Sequence, residues 1–256
     1  MGKTNGSVFD RIAWRRELRR WHALAAGAPT AGLDRLRGAR RAARALRAEL
    51  DRVIHLADAR LALPRTGAGA ELPQGADWCW RPEPWRGPLP EEGVAPVPSP
   101  SRLGDEVTLF HDCSLSELSL RQLRNTRGAD RAPFGLAMDV FGFDGSFLSL
   151  VIDLPPEAIA GLRRRHLVRL EPVLELEKPL EIFARLNIKH GPNTEQLVRE
   201  LPLGEDGGMV EFDLGYSNLN EKRVERMWLD LIFERPEMNR VVLRDLTFSR
   251  RLRADL

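Results

Sequence analysis

The stretch Pro179–Arg250 decides the fold of this 256-residue chain. Five short runs within it alternate apolar with polar residues and are rich in β-branched and aromatic side chains: Leu180–Ile188, Gln196–Leu201, Met209–Leu214, Met227–Phe233 and Val241–Phe248. Alternation with a period of two indicates a strand that buries one of its faces. Gly, Pro, Asn and Asp fill the intervals between the runs, and these residues favour turns. The stretch therefore predicts a series of strands joined by short turns.

Further strands are predicted upstream, at Glu106–His111, Phe134–Phe143, Ser146–Leu154 and His166–Glu177. The dipeptide Asp144-Gly145 predicts a tight hairpin, and His166–Glu177 is expected to pair with Leu180–Ile188. About eight or nine strands over residues 105–256, with a single short helix opening at Pro156, fit a two-sheet antiparallel β-sandwich or jelly roll. Strands and helices do not alternate, which excludes a doubly wound sheet.

Residues 1–65 predict a basic arm of two helices. They hold 15 Lys and Arg against 6 Asp and Glu, a net charge of +9, whereas residues 66–256 carry a net charge of −7. The first helix is expected from Ser7 to about Ala26. The second is expected from Thr30 to near Pro64. A basic arm on an acidic body predicts a weak, salt-dependent contact with an anionic partner or with the body itself.

The second helix carries an apolar stripe, in which residues recur at spacings of three and four: Leu36, Ala39, Ala43, Leu46, Leu50, Val53 and Ala57. This stripe is either a coiled-coil seam between two copies or a face that packs within the chain. Alanine occupies three of its seven positions, and alanine buries little apolar area. We therefore expect the stripe to pack against the first helix or the acidic body. The arm carries no recognised DNA-binding motif, so nucleic-acid binding is not expected.

Residues 66–104 form a Pro-rich segment, which is predicted to be extended and to dock on the sandwich at residues 105–256. Proline excludes a helix or a central strand there. The segment holds Trp78, Trp80 and Trp85, each beside a charge or a proline. These rings either form a stacking platform for a ligand or clamp the segment onto the sandwich. The clamp is the favoured interpretation, and the three tryptophans remain candidate ligand-binding residues.

No run of residues carries a catalytic signature or a metal-binding spacing. The nearest approach to a nucleophile–base pair is Cys113 beside His111, which would need a lowered thiol pKa to be catalytic. The sequence therefore predicts no catalytic residue, no metal and no cofactor. Two isolated cysteines, no secretion signal and no apolar segment long enough to span a membrane predict a cytoplasmic protein.

Polar turns are the remaining candidates for a binding site. The segment Asn187–Gln196 joins two predicted strands and offers Asn187, His190, Asn193 and Gln196. A second polar segment, Tyr216–Asn220, offers Tyr216, and a third, Arg121–Asn125, offers Arg124. Amide and cationic groups in turns bind polar ligands through paired hydrogen bonds. We therefore predict a non-catalytic binding module for a glycan or another polyhydroxyl ligand. The alternative is a structural or adaptor protein whose arm mediates self-association or docking to an anionic or protein partner.

Four runs of the sequence resemble a family of conserved alphaproteobacterial proteins that is catalogued as a domain of unknown function: Phe110–Cys113, Leu120–Asn125, Arg185–Gln196 and Arg244–Arg251. The resemblance extends over most of residues 77–256 and implies no activity, cofactor or site residue. The closing strands are also similar in pattern to galactose-binding-like jelly rolls, because alternating apolar residues surround an aspartate. Neither resemblance determines a function, since one fold serves many.

Overall fold

A computed structural model describes residues 8–66, 70, 72–202 and 208–253. The chain divides into two units, Met1–His55 and Leu56–Leu256. The described α-helices are α1 (Val8–Gly27), α2 (Leu33–Thr66), α3 (Glu83–Arg86) and α4 (Pro156–Ile159). Short 3-10 turns occupy Ala28–Thr30, Leu214–Tyr216 and Glu221–Arg223. None of the described helices is both long and apolar enough to cross a membrane.

The described strands begin well before residue 105. They are β1 (Ala76–Trp80), β2 (Gly93–Val94), β3 (Ser101–Leu103), β4 (Val107–His111), β5 (Leu118–Arg124), β6 (Phe134–Val140), β7 (Leu148–Asp153), β8 (His166–Leu176), β9 (Ile182–His190), β10 (Asn193–Glu200), β11 (Val210–Asp213), β12 (Val224–Phe233) and β13 (Asn239–Leu252).

These strands form two antiparallel sheets. Sheet A has seven strands in the order β11-β8-β13-β6-β5-β2, and β1 pairs with the second half of β13. Sheet B has six strands in the order β10-β9-β12-β7-β4-β3. The sheets enclose one apolar core, to which β9 contributes Leu186 and Ile188, and β13 contributes Leu246 and Phe248. The predicted jelly-roll-like β-sandwich with a helical N-terminal segment is confirmed.

The Pro-rich segment supplies strands and a helical turn, where the sequence predicted only an extended docking segment. Strand β1 lies in a stretch without proline and pairs with β13, while β2 and β3 pair with β5 and β4. Pro84, the second residue of α3, suits that helical turn, because the backbone N–H groups of a first turn have no acceptor within the helix. The expectation that proline excludes any helix in this segment was wrong.

A buried ion pair joins the Pro-rich segment to sheet A. Both Arg81 and Asp245 are almost fully buried, and the guanidinium donates to the two carboxylate oxygens at 2.7 and 2.9 Å. The indole N–H of Trp85, a ring with no exposed surface, donates to the backbone carbonyl of Leu243 at 2.9 Å. The segment is therefore an integral part of the sandwich.

Two predicted strand pairs are wrong for one reason. The Asp144-Gly145 turn lies between β6 and β7, which belong to different sheets, so it forms no hairpin. Strands β8 and β9 are likewise divided between sheet A and sheet B. Each turn carries the chain from one sheet across to the other. The third polar segment, Arg121–Asn125, is mostly strand β5 and not a loop.

The two helices of the arm form, but α1 and α2 do not lie against each other along their lengths. The apolar stripe of α2 is accordingly exposed, by 39% at Leu46, 41% at Leu50 and 62% at Val53. Of the two partners expected for this stripe, the first helix was therefore wrong, and packing against the acidic body stays a prediction. Ser7, where the first helix was expected to begin, lies outside the described residues.

Candidate functional site: the outward face of sheet B

Part of the outward face of sheet B is polar, because there the strands alternate apolar core residues with polar outward ones, whereas Phe183, Val151 and Ile232 occupy other outward positions. In β9, Leu186 and Ile188 point into the core, so Arg185, Asn187 and Lys189 point outward. In β12, the core residues Met227, Leu229 and Leu231 alternate with outward-facing residues, namely Arg226, Trp228 and Asp230. These outward side chains are not part of the apolar core.

The register of four strands assembles one row across this face. Gln196 of β10 pairs with Asn187 of β9, Asn187 pairs with Trp228 of β12, and Trp228 pairs with Asp153 of β7. Four neighbouring strands span about 14 Å between the outer two. We name this surface the Trp228 face; it comprises Gln196, Asn187, Trp228, Asp153, Lys189, Arg226, Arg185, Asp230 and Glu225. A partly exposed indole therefore lies in a row with an amide on one side and a carboxylate on the other.

Hydrogen bonds hold the polar part of the Trp228 face in place. The Asn187 amide donates to Asp230 Oδ2 at 3.1 Å and to the Arg185 carbonyl at 3.0 Å, and it accepts from Gln196 Nε2 at 2.9 Å. Arg185 Nε donates to the same carboxylate oxygen at 2.8 Å. Asn187 and Asp230 are buried although they face outward, because their neighbours cover them. The exposed groups of the row thus rest on a satisfied, ordered layer.

The indole of Trp228 is held by a charged neighbour. The Arg226 guanidinium lies 5.0 Å from the centre of the ring, within the range of a cation–π contact. Arg226 also donates through Nε to Asp153 Oδ1 at 3.1 Å. One side of the indole is therefore covered by Arg226, and its remaining exposed surface is available to a ligand.

The charges on the Trp228 face cancel. Lys189 Nζ lies 3.1 Å from Glu225 Oε2, Arg185 Nη2 lies 2.7 Å from Asp230 Oδ2, and Arg226 is paired with Asp153. The face therefore carries three cations and three anions in cross-strand pairs. It offers hydrogen-bond donors and acceptors without a net charge.

Two of the predicted polar loops meet at the edge of sheet B. His190, at the end of β9, is buried, and its Nδ1 accepts from the Asn220 backbone N–H at 3.4 Å. Its Nε2 lies 3.7 Å from Glu195 Oε1, and the other oxygen of Glu195 accepts from the Asn218 N–H at 3.1 Å. His190 therefore joins the two segments and offers little surface to a ligand.

The predicted site residues of the first segment do not form one loop. Asn187 and His190 lie in β9, and Asn193 and Gln196 lie in β10, so the turn consists of Gly191 and Pro192 alone. Gly191 adopts a φ of 58°, as the first central residue of a tight hairpin requires. Asn193 is exposed beside this turn. Strand pairing thus separates Asn187 and Gln196, on the Trp228 face, from His190 and Asn193 at its end.

The other predicted site residues lie elsewhere. Tyr216 is 77% exposed in the second segment, with the Arg253 guanidinium 5.8 Å from its ring centre. Arg124 ends strand β5, in sheet A. Trp78 and Trp80 stack at 6.3 Å between ring centres and pack against the core of the sandwich. Neither of them nor the fully buried Trp85 belongs to the Trp228 face.

Sequence reasoning missed Trp228, Arg226, Asp230 and Asp153. The first three occupy successive outward positions of β12, so the large aromatic ring of Trp228 lies between two charged side chains. An aromatic residue on the polar phase of an alternating strand is the signal that could have identified it. Its partners Asn187 and Asp153 follow only from the register of three strands.

Cys113 does not have the environment of a catalytic thiol. Burial raises the pKa of the Cys113 thiol above its ordinary value. His111 uses Nδ1 to accept the backbone N–H of Cys113 at 3.2 Å, and its Nε2 lies 3.1 Å from the Val97 carbonyl. Both ring nitrogens of this histidine are therefore engaged in backbone contacts.

A family of unknown function (DUF6478) has a model that matches residues 1–256. The chain belongs to this family. The match confirms the family resemblance and does not bear on an alphaproteobacterial source. Among curated proteins, the comparison finds no match.

Solved structures similar to the chain include the enzymatically active domain of tailspike protein 4 from bacteriophage CBA120. Its identity is 7% and its TM-score 0.40 over 56% of this chain, which spans only 19% of that structure. A family 11 carbohydrate-binding module from Clostridium thermocellum, solved with a β-1,3-1,4-mixed-linked tetrasaccharide, has 10% identity and a TM-score of 0.38 over 58% of this chain and 91% of the module. At these values the similarities assign neither a ligand nor an activity to the chain.

Proposed function

We propose that the Trp228 face binds a neutral polyhydroxyl ligand, such as a glycan, without catalysing a reaction on it. The observation that carries the proposal is the row Gln196, Asn187, Trp228 and Asp153, in which a partly exposed indole lies among ordered polar groups. A sugar presents hydroxyls, which need paired donors and acceptors, and C–H surfaces, which pack on aromatic rings. The row offers both kinds of contact.

The order of the face supports binding. A side chain that is already held by its neighbours loses little conformational freedom when a ligand arrives. Gln196 is held by Asn187, and Arg226 is held by Trp228 and Asp153. In this proposal the exposed Gln196 and Arg226 and the partly exposed Trp228 contact the ligand. The buried Asn187 positions Gln196 without touching the ligand.

The paired charges favour a neutral ligand. A sulfated or carboxylated glycan would have to break Lys189–Glu225, Arg185–Asp230 or Arg226–Asp153 to gain a cation, and it would leave a carboxylate unpaired. Hydroxyl groups accept from guanidinium and amide donors without breaking these pairs. The face therefore selects against acidic glycans.

A glycan array probed with the full-length protein tests the proposal. We expect signals for neutral oligosaccharides, and Trp228→Ala should weaken binding at least tenfold, or about 1.4 kcal/mol. The melting temperature should change little, since the ring lies outside the core. Tyr216→Ala is the matched control, because it removes an exposed aromatic ring from the neighbouring loop.

Three results would overturn the proposal. Absence of any glycan-array signal for the wild-type protein would contradict glycan binding. Binding that survives Trp228→Ala but is lost in Tyr216→Ala moves the site to the loop that contains Tyr216. A preference for acidic glycans contradicts the argument from the paired charges.

A further inference from the structure

The apolar stripe of α2 is the most extensive exposed apolar surface that the proposed binding site does not use. Its members within the first unit are Leu36, Ala39, Ala43, Leu46, Leu50 and Val53, which we name the α2 seam. Their spacing of three and four residues is the a/d pattern of a coiled coil. Leu46, Leu50 and Val53 are 39 to 62% exposed, and α1 does not cover them. A helix of this kind is stabilised chiefly by packing of its apolar face, so we expect another apolar surface to cover the seam.

We propose that α2 pairs antiparallel with α2 of a second copy of this chain. In an antiparallel pair, an a position packs against a d position of the other helix. Centring the pair between Leu46 and Leu50 places these two leucines against each other, and it places Ala43 against Val53 of the second copy. A parallel pair would stack Ala43 on Ala43 and Ala39 on Ala39. In the antiparallel register Ala39 lies against Ala57, so the gain over the parallel register is in the two Ala43–Val53 layers, where a small side chain meets a larger one and not another alanine.

The charges along α2 favour the same orientation. Residues 33–47 contain six Arg and one Asp, a net charge of +5. Residues 48–57 contain one Arg, one Asp and one Glu, a net charge of −1. An antiparallel pair sets each strongly basic half against the weakly acidic half of the other copy. A parallel pair sets +5 against +5, which is repulsive at distances shorter than the screening length.

The charges nearest the dyad are neutralised within each helix. Arg47 and Glu49 would each approach their own counterparts in the second copy. Arg47 Nε already lies 3.2 Å from Asp51, and Glu49 lies 3.6 Å from Arg52. These intrahelical pairs reduce the like-charge contact at the centre.

Sedimentation velocity of the full-length protein tests the pairing. We expect a dimer at about 100 µM that dissociates on dilution, as mass action requires. Leu46→Asp with Leu50→Asp should yield a monomer. Ala45→Asp with Ala48→Asp is the matched control, because it adds the same charges to exposed positions of α2 outside the seam. The control should remain a dimer.

Cysteine trapping tests the orientation. An oxidised mixture of Ala43→Cys protein and Val53→Cys protein should contain a disulfide between positions 43 and 53, identified by mass spectrometry of the peptides. Ala43→Cys protein alone should form no 43–43 disulfide. A 43–43 disulfide in that sample would show a parallel pair and overturn the proposal.

Sedimentation and vesicle binding also distinguish the other partners that could cover the seam. A monomer at about 100 µM that co-sediments with phosphatidylserine vesicles would assign the seam to an anionic membrane. A monomer that binds no vesicles would show that the seam pairs neither with a second copy nor with an anionic membrane. Either result overturns the proposal, and neither depends on whether the Trp228 face binds a glycan.

Discussion

Replacing Asp245 by Asn should destabilise the sandwich more than any exposed charge replacement. The change keeps the shape of the side chain but removes the charge that balances Arg81, whose guanidinium donates to both carboxylate oxygens at 2.7 and 2.9 Å. The two side chains are only 3% and 2% exposed. Among the described residues, Arg81 Nη1 finds no hydrogen-bond acceptor, so the cation already depends on this one partner.

The expected loss in the free energy of unfolding is about 3–5 kcal/mol, the cost of leaving a buried charge unpaired. Urea unfolding followed by tryptophan fluorescence measures it, with an unchanged m-value showing that the unfolded state is unaffected. Arg131→Gln is the control, since Arg131 is 62% exposed in its pair with Glu171 and should cost less than about 1 kcal/mol. Arg81→Met combined with Asp245→Leu should restore most of the loss, because apolar side chains of similar volume leave no buried charge.

Two results would refute this reasoning. One is an Asp245→Asn protein within about 1 kcal/mol of the wild type, a loss typical of an exposed pair. The other is a double variant that is no more stable than Asp245→Asn. Either result would mean that water reaches the pair, or that its contribution is that of a surface ion pair.

Two further predictions concern buried groups of the sandwich. Burial and the neighbouring Arg250 cation hold the pKa of His166 below its ordinary 6.5. Below pH 6.5 the unfolded chain therefore binds a proton at His166 that the folded chain does not, so the free energy of unfolding should fall as the pH drops through 6.5. Urea titrations at pH 7.5 and 5.5 measure this fall, which should be smaller in His166→Gln. Gly135→Ala should cost several kcal/mol, because its new methyl carbon would lie 2.7 Å from the Leu243 carbonyl oxygen. Gly128→Ala, with nothing within 4 Å, is the control, and equal melting temperatures for the two variants would contradict the argument.

Residue alternation alone determined which side is buried in the strands that bury only one face. In β12, Met227 and Leu229 face the core, while Arg226 and Trp228 face outward. Successive side chains of a strand point to opposite faces, so this assignment needs no knowledge of the neighbouring strands. Helical spacing likewise predicted α1 and α2, since a helix of many turns repeats its pattern often enough to be recognised.

Composition averaged over a long segment concealed short elements. Residues 66–104 are rich in proline, yet the stretch between Pro73 and Pro82 contains none, and β1 forms there. Proline acts on its own backbone N–H and on its nearest neighbours, not on a whole segment. The prediction failed because it applied a local constraint to the entire segment.

The pairing of the strands was decided only by tertiary structure. A turn such as Asp144-Gly145 reverses or redirects the chain, but its residues are the same whether the next strand stays in the sheet or crosses to the other one. That choice depends on which apolar faces cover each other across the core, and these faces come from residues far apart in the sequence.

The candidate site depends on the same long-range choice. Asn187 and Gln196 were predicted from composition, but their row with Trp228 and Asp153 exists because β10, β9, β12 and β7 are adjacent in one register. A shift of one residue in any of these pairings would turn a member of the row toward the core. The sequence determined the faces of the strands, whereas the packing of the core determined their order and register, because only burial of the apolar faces distinguishes one register from the next.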